Sequence, residues 1–292
     1  MHDSAAQQPQ TVSPTVGRRW LAQEIRRLRE AAGLKQSEVA KRLRCNPAKI
    51  AHIESMRNAV SAPDLEVMLP FLGVPPDRID WYLKLSDIAK EKGWWDGNQA
   101  IPEWFSLYIG LEWGASEIHE WDLGFVPGLL QTRGYAEALI NAGSRASHSR
   151  QRQQIDARLQ RQEALNRDTG ALKVHAIVDE SVLHRTMGSD AVLRDQLAHL
   201  VQMSSHPQVT LQIMPFRAGP HRGHLGSFHW LGFPRADDPG VVYVENQKGG
   251  LYLEEPEEIA DFREDFDGLT RMALTPSDSR NLLEDLLKDT AR

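Results

Sequence analysis

Two short stretches decide the fold of the N-terminal part: residues 33–40 read Gly-Leu-Lys-Gln-Ser-Glu-Val-Ala, and residues 50–54 read Ile-Ala-His-Ile-Glu. The apolar residues in and around them recur at three- and four-residue spacing, which places them on one face of a short helix. The small side chain of Ala40 lets the following helix cross closely, and Ile50 and Ile53 fill the angle between the two. The pattern predicts a helix-turn-helix.

The sequence around these stretches predicts three more helices. Apolar residues at helical spacing indicate a first helix over residues 19–32, with Gly33 as its C-cap. Asn46 can N-cap the third helix, which contains the second of the quoted stretches. After a loop at residues 57–63 a fourth helix follows, and Pro76 opens a fifth. We therefore expect an all-helical N-terminal domain of five helices.

Positive charge is concentrated in this part of the chain. Residues 18–60 hold eleven Arg and Lys against four Glu, a net charge of +7, although the whole chain carries −6. A basic segment joined to an acidic remainder confines attraction for phosphate to the N-terminal domain.

Length and composition set the domain plan. The 292 residues suffice for two domains. The start is rich in Gln, Ser and Pro, without a signal peptide or membrane span, and the single cysteine, Cys45, fits a reducing compartment; we expect a cytoplasmic protein. We predict a disordered tail over residues 1–16, a helix-turn-helix domain over 17–92 and a regulatory and dimerisation domain over 93–292.

The two quoted stretches resemble the phage-repressor-like (Xre/Cro/C1-type) helix-turn-helix family. The resemblance implies that the third helix enters the major groove of DNA, where Lys49 can donate to guanine, and that Gln36 binds a phosphate. The DNA-binding residues predicted on this basis are Lys35, Gln36, Arg42, Asn46, Pro47, Ala48, Lys49, His52 and Arg57. The alternative is a small helical interaction module that never touches DNA.

The same resemblance implies an ion pair between Arg29 and Glu54, shielded from water, that ties the first helix to the third. Two positions depart from the family pattern. Arg44 stands in the turn where glycine is usual, and Met56 stands where a glycine often follows the helix-3 glutamate. Both departures bear on the turn geometry and the close backbone approach that the family's glycines allow there.

The remainder of the chain mixes helical and strand patterns. Residues 93–125 are aromatic and irregular. Helices are predicted over residues 132–142, 149–169, 191–204, 257–273 and 277–289, and strands over 172–178, 209–216, 227–233, 241–245 and 251–254. The fold class is therefore α+β, with a five-helix domain followed by a larger mixed domain.

A series of phrases in this second part resembles a group of regulators. They lie at residues 125–132, 158–162, 211–219, 226–228 and 242–245. The group comprises developmental or metabolic regulators of high-GC Gram-positive (actinobacterial) bacteria. They carry a phage-repressor-type head and a C-terminal domain of unknown function, and they often belong with small partner proteins. The resemblance implies no chemistry for that domain.

A ligand site is predicted around the aromatic stretch, with core packing as the alternative. Aromatic faces could enclose a planar nitrogenous effector while Glu112, Glu117 or Glu120 accepts its N–H donors, and a Gly-rich loop could close over it. The candidate ligand-binding residues are Trp94, Trp95, Trp104, Tyr108, Trp113, Glu117, Trp121, Phe125, His221 and His224.

No catalytic residue, metal or cofactor is predicted. The histidines near residue 221 have no regular metal-ligand spacing, so a flexible loop is expected there. Asp179, Ser181 and His184 lack the Gly-x-Ser-x-Gly turn of a nucleophile, so we expect a surface turn.

Together these patterns predict a homodimeric transcription regulator that binds a palindromic double-stranded DNA operator, receives a small planar effector or a small partner protein, and has no membrane association. One alternative is an antitoxin-like protein that sequesters a small partner. Another is an enzyme with an autoregulatory DNA-binding head, in which His221, His224 or Glu245 is catalytic.

Overall fold

The computed structural model describes residues 12–143 and 146–290. It divides into two compact units, with the boundary between Asp96 and Gly97. In neither unit does a described helix combine the length and the apolar character needed to cross a membrane.

The N-terminal unit consists of helices, several of which begin at a side-chain cap. Ser13, Asn46 and Ser61 each accept a backbone N–H at the start of a helix, which satisfies donors that have no partner within the helix. The helices are α1 (Pro14–Ala31), α2 (Gln36–Arg42), α3 (Pro47–Glu54), α4 (Ala62–Phe71) and α5 (Pro76–Lys90).

Helix α1 begins earlier than the sequence pattern predicted. Ser13 Oγ accepts the N–H of Val16 at 3.2 Å, Pro14 occupies the first turn, and the Val16 side chain is completely buried. Residues 14–16 are therefore helical, and the prediction of a disordered tail was wrong for them. Residues 1–11 of that tail lie outside the described residues.

The C-terminal unit contains helices and strands. The helices are α6 (Glu103–Gly114), α7 (Arg133–Gly143), α8 (His148–Gln160), α9 (Glu180–His184), α10 (Asp190–Met203), α11 (Pro256–Met272) and α12 (Pro276–Asp289). The strands are β1 (Glu117–Asp122), β2 (Lys173–Asp179), β3 (Val209–Met214), β4 (Phe228–Gly232), β5 (Val241–Asn246) and β6 (Gly249–Leu253).

The strands form one mixed sheet in the order β3-β2-β1-β4-β5-β6. The first three are parallel to one another, and β4, β5 and β6 continue the sheet by antiparallel pairing. One face packs against α11 around a core that includes Trp121, Trp230 and Phe266. The prediction of five N-terminal helices followed by a mixed α+β domain is confirmed.

Two local predictions were wrong. Residues 93–125 are not irregular throughout, because they contain α6 and β1. The helix predicted over residues 149–169 ends at Gln160 and continues as a 3-10 turn over Arg161–Asn166, which turns the Arg161 side chain into the interior.

Candidate nucleic-acid interface

Helices α2 and α3 pack as a helix-turn-helix on a small apolar core. Val39 and Ile50 are completely buried, and Ile53 is nearly so. Asn46 Oδ1 accepts the N–H of Ala48 at 2.9 Å and so caps α3. The two positions that depart from the family pattern adopt left-handed backbone angles, with φ of 54° at Arg44 and 59° at Met56.

An ion pair joins α1 to the end of α3. Arg29 Nε donates to Glu54 Oε1 at 2.6 Å and Nη2 donates to Oε2 at 2.9 Å, with the two side chains 11% and 5% exposed. Arg29 Nη1 also donates to the carbonyl of Leu34 at 2.9 Å. Its hydrogen bond to Glu54 raises the pKa of Arg29. The pair fixes the angle between the two helices.

Gln36 belongs to the same network. Its Nε2 donates to Glu54 Oε2 at 2.8 Å. This contact orients the Gln36 amide at the first residue of α2, and it occupies one of the two N–H donors on that nitrogen. The predicted phosphate contact therefore requires the second N–H or the release of Glu54. The sequence pattern did not indicate this bond.

The first turn of α3 is open to solvent. Asn46, Pro47 and Ala48 are exposed, whereas Lys49 and His52 are half-buried. Lys49 Nζ lies 2.8 Å from Asp64 Oδ2 in α4.

The acidic partner of Lys49 was not predicted from the sequence. Burial opposes ionisation of Asp64, but hydrogen bonds from Lys49 and Ser61 lower its pKa. Only its position in the first turn of α4, three residues after the cap Ser61, could have placed it near α3.

Three further residues that were predicted to contact DNA lie in or next to the helix-turn-helix. Lys35, Arg42 and Arg57 are all exposed, so their charges can reach phosphate. The guanidinium of Arg42 lies 5.8 Å from the centre of the Phe71 ring, which restricts its direction. The predicted DNA-binding residues thus lie in one unit, which presents an exposed helix end and three exposed cations.

The predicted aromatic slot is not assembled as expected. Trp94 and Trp95 belong to the N-terminal unit, whereas the other candidates belong to the C-terminal unit. Within the latter, Trp104 is 39% and Phe125 is 50% exposed, and the Trp113 ring packs against the guanidinium of Arg167 at 5.3 Å.

Tyr108 and Trp121 are both buried, but in different layers. Trp121 lies in the core against α11. The Tyr108 hydroxyl is 2.9 Å from Nδ1 of His229, whose strand neighbour in β1 is Glu120 rather than Trp121. Because successive strand residues point to opposite faces, Trp121 and Tyr108 cannot form one slot.

The Gly-rich loop before β4 is anchored at Gly223, which is buried, while the rest of the loop is exposed or partly exposed. Trp121 Nε1 donates to the carbonyl of Gly223 at 2.9 Å, and a Cβ on Gly223 would approach the Trp121 ring to 2.6 Å. The rings of His221 and His224 stack with centres 3.9 Å apart. A cavity of about 310 Å³ lies between His221 and α11. The predicted surface turn near Asp179 is the short helix α9.

A buried polar cluster lies on the face of the sheet that carries Tyr108. His229 Nε2 is 3.4 Å from Asp122 Oδ2, and its Nδ1 is 3.8 Å from Glu120 Oε1. Glu120 is completely buried, and among the described residues neither of its carboxylate oxygens has a hydrogen-bond partner. Burial raises the pKa of Glu120 to about 7.

The charge of His229 is stabilised within this cluster. Burial alone would lower its pKa, but the carboxylates of Asp122 and Glu120 raise the pKa of His229 to about 9.

Glu112 forms a second buried ion pair, with Arg161. Arg161 Nε and Nη2 donate to its two oxygens at 2.7 and 2.6 Å, and the side chains are 5% and 2% exposed. Glu112 is thus occupied and is not an acceptor for a ligand. The sequence pattern placed Arg161 on a polar helix and so missed its burial.

Two family models match the chain. A helix-turn-helix domain model matches residues 20–81, from within α1 into α5. A model described as a domain of unknown function (DUF5753) matches residues 105–285, which is more than half of the chain. The chain belongs to the DUF5753 family. No curated protein and no solved structure matches it.

The two matches differ in what they say about function. The helix-turn-helix match indicates that this DUF5753 protein is a DNA-binding regulator. The DUF5753 match spans the whole mixed sheet, and the description of this family names no activity. The finer resemblance to Xre/Cro/C1-type and actinobacterial regulators stays a prediction.

Proposed function

We propose that this DUF5753 protein is a sequence-specific transcription regulator that binds a palindromic operator as a homodimer and receives a small-molecule or protein signal in its C-terminal unit. The observation that carries the proposal is the solvent-exposed first turn of α3, held in place by the Arg29–Glu54 pair. A helix end presented in this way fits the major groove, which admits an α-helix.

The charges around α3 support DNA as the partner. Net charge is +7 over residues 18–60, and the exposed cations Lys35, Arg42 and Arg57 stand close to the helix-turn-helix in sequence and structure. Such cations contact phosphate and set the register of the protein on the duplex, while Ala48, Lys49 and His52 supply base contacts.

The small size of one helix-turn-helix supports dimerisation. A single α3 offers few base contacts, and two copies about 34 Å apart would contact successive major grooves on one side of the duplex. An operator with two-fold symmetry would match the two-fold symmetry of such a dimer.

The test is selection of bound duplexes from a random DNA pool by the full-length protein. We expect enrichment of an inverted repeat whose half-site centres are about 10 base pairs, or a multiple of that, apart. Enrichment of a single asymmetric half-site would contradict the dimer. No enrichment of any sequence would contradict sequence-specific binding.

For the signal, we propose a flat nitrogenous effector that binds at the cluster of Glu120, His229 and Tyr108. The fully buried Glu120 carboxylate has no hydrogen-bond partner among the described residues, and an N–H donor from a ligand would satisfy it. The partly buried ring of Phe105, which stacks on Tyr108, would contact a planar molecule. A small partner protein is the other form that the signal can take.

The effector proposal is tested by quenching of tryptophan fluorescence with nucleobases, nucleosides and aromatic metabolites. We expect one class of compound to quench the wild type and the Glu117→Gln variant but to bind Glu120→Gln at least about tenfold more weakly, because the buried acceptor has changed. Equal binding to both variants would place the effector elsewhere. Absence of binding by any compound would contradict the proposal.

A further inference from the structure

One edge of the mixed sheet is covered by another segment of the unit, and the opposite edge is open. At the β3 edge, the N–H of Leu274 donates to the carbonyl of Ile213 at 2.9 Å, and Ser279 Oγ accepts the N–H of Ile213 at 2.9 Å. Strand β3 pairs with β2 on its other side. The segment that leads into α12 therefore covers this edge, which is a common protection against unwanted strand pairing.

The opposite edge, β6, is open within the C-terminal unit. Strands β5 and β6 form a hairpin with two turn residues, Gln247 and Lys248, closed by the pair Asn246 and Gly249. In such a hairpin the closing pair exchanges hydrogen bonds and the bonding alternates along the strand. The backbone groups of Gly250 and Tyr252 then point outward, and no described residue of the unit bonds to them.

Apolar side chains flank this open edge on both faces of the sheet. Leu251 is 51% exposed, and it pairs with Val244, which packs on the core against α11. On the other face, Trp104 is 39% exposed and lies over Gly249, and its carbonyl accepts the Tyr252 hydroxyl at 2.9 Å. An open edge with exposed apolar neighbours is typical of a protein-binding surface.

We propose that β6 pairs with β6 of a second copy of this chain, antiparallel and around a two-fold axis at Leu251. This inference rests on the dimer of the proposed function and names its interface. In this register Lys248 lies opposite Glu254 of the second copy, so opposite charges meet at both ends of the strand pair.

Side-chain size is self-complementary in the same register. Tyr252 lies opposite Gly250 of the second copy, and Leu253 lies opposite Gly249. The Tyr243 ring of the same chain lies over Gly250 and would clash with a side chain there, so Tyr252 of the second copy would pack against this ring. Tyr252 and Leu253 of one strand thus each meet a glycine of the other, and Leu251 meets Leu251 at the axis.

Neighbouring registers lose these matches. Residues that lie opposite each other must point to the same face of the sheet. The two-fold axis must therefore pass through a residue and cannot lie between two residues, so the nearest alternatives are axes at Gly250 and Tyr252. An axis at Gly250 would place Glu254 opposite Asn246, and an axis at Tyr252 would place Lys248 opposite Pro256. Charge pairing therefore favours Leu251.

Disulfide trapping of the full-length chain tests the interface. The single natural thiol is removed by Cys45→Ser, and Leu251→Cys is added. In the proposed register the two Leu251 residues form a non-hydrogen-bonded pair with Cα atoms about 4.5 Å apart, within the range that a disulfide can bridge. The matched control is Leu225→Cys, whose position is 92% exposed and lies outside the strands.

We expect Leu251→Cys to form a covalent dimer under mild oxidation at least about tenfold faster than Leu225→Cys, because the paired strands raise the local thiol concentration. Equal rates in a chain that still sediments as a dimer and still selects an inverted repeat would overturn this interface and leave the proposed function intact. A monomer that selects no inverted repeat would contradict both proposals.

Charge exchange tests the register. Lys248→Glu and Glu254→Lys should each weaken the dimer in sedimentation velocity, because like charges then meet, and the double variant should recover it. Failure of the double variant to recover dimerisation, with an unchanged circular dichroism spectrum, would exclude the axis at Leu251.

Discussion

At the scale of single residues, the helix-turn-helix depends on a carboxylate that is almost removed from water. Glu54 is 5% exposed and accepts hydrogen bonds from both Arg29 and Gln36. Removing one partner of such a pair leaves a charge without compensation, and this costs more than the pair itself contributes. Arg26, by contrast, pairs with Glu30 at the surface, where ion pairs contribute little.

We therefore predict that Arg29→Ala lowers the stability of the N-terminal unit by about 3–5 kcal/mol. Arg26→Ala should cost less than about 1 kcal/mol, since its pair is exposed to solvent and screened. Thermal melts of the full-length variants provide the comparison. Equal melting temperatures for the two variants would show that Arg29 is not a structural residue.

The left-handed backbone at Arg44 is a second residue-scale feature. A non-glycine residue in this region costs roughly 1–2 kcal/mol, and glycine costs about 0.5–1 kcal/mol in chain entropy. Arg44→Gly should therefore stabilise the chain by about 0.5–1 kcal/mol.

The matched control for this prediction is Arg42→Gly, in the last turn of α2, where glycine should destabilise the helix by about 1 kcal/mol. Urea unfolding of the two variants measures the difference. A destabilising effect of Arg44→Gly as large as that of Arg42→Gly would show that the turn is not strained.

At the scale of elements, the sequence predicted those that show a cap or a clear period. Helices α2 to α5 have apolar faces, and α3, α4 and α5 also have asparagine, serine or proline at their starts. Strands β2 to β6 are apolar runs bounded by turn residues. Helix α6 was missed because apolar side chains surround it and leave no amphipathic period. Strand β1 was missed because Glu120, a charged residue, is one of its inward-facing residues.

The arrangement of the candidate DNA-binding residues could be predicted only in part, because a sequence pattern describes only residues that are near one another in the chain. The exposure of residues at helix ends, such as Ala48, follows from helix periodicity, whereas the role predicted for them rests on the family resemblance. The bonds from Gln36 to Glu54 and from Lys49 to Asp64 join residues that are distant in sequence, and no local pattern encodes them.

Strand β1 also carries a pH-dependent contribution to stability. Burial raises the pKa of Glu120 from its ordinary 4.5 to about 7. Asp122 and Glu120 together raise the pKa of His229 from its ordinary 6.5 to about 9, against the effect of burial. Between pH 4.5 and about 9, the folded chain therefore binds more protons than the unfolded chain. Both contributions are complete at low pH and are lost as the pH rises through 7 and then 9.

We predict that Glu120→Gln removes the first part of this loss. Between pH 5 and 8, the free energy of unfolding of the wild type should fall by about 2–3 kcal/mol more than that of the variant. Urea unfolding at the two pH values measures this, with Glu117→Gln, on the same strand and partly exposed, as the control. If wild type and Glu120→Gln lose stability in parallel, Glu120 does not bind the extra proton.

At the scale of the whole molecule, the chain joins a basic helical unit to an acidic unit with a mixed sheet. The helix-turn-helix match and the DUF5753 match divide along the same line. In the proposed function, specific binding depends on α3, whereas attraction to any duplex depends on the exposed cations of the same unit. These two contributions can be separated by substitution.

The most direct test of the central claim, that the exposed face of α3 reads DNA, is fluorescence anisotropy of the full-length protein on the selected operator and on a scrambled duplex. Lys49→Ala with His52→Ala should weaken operator binding by at least about tenfold, because each base contact contributes about 1–3 kcal/mol. Binding to the scrambled duplex should change much less. Asp64→Asn, which also breaks the Lys49 ion pair but keeps the lysine, should retain operator affinity. If the double variant binds the operator as the wild type does, or if Asp64→Asn loses affinity to the same extent, α3 does not read the bases in the way proposed.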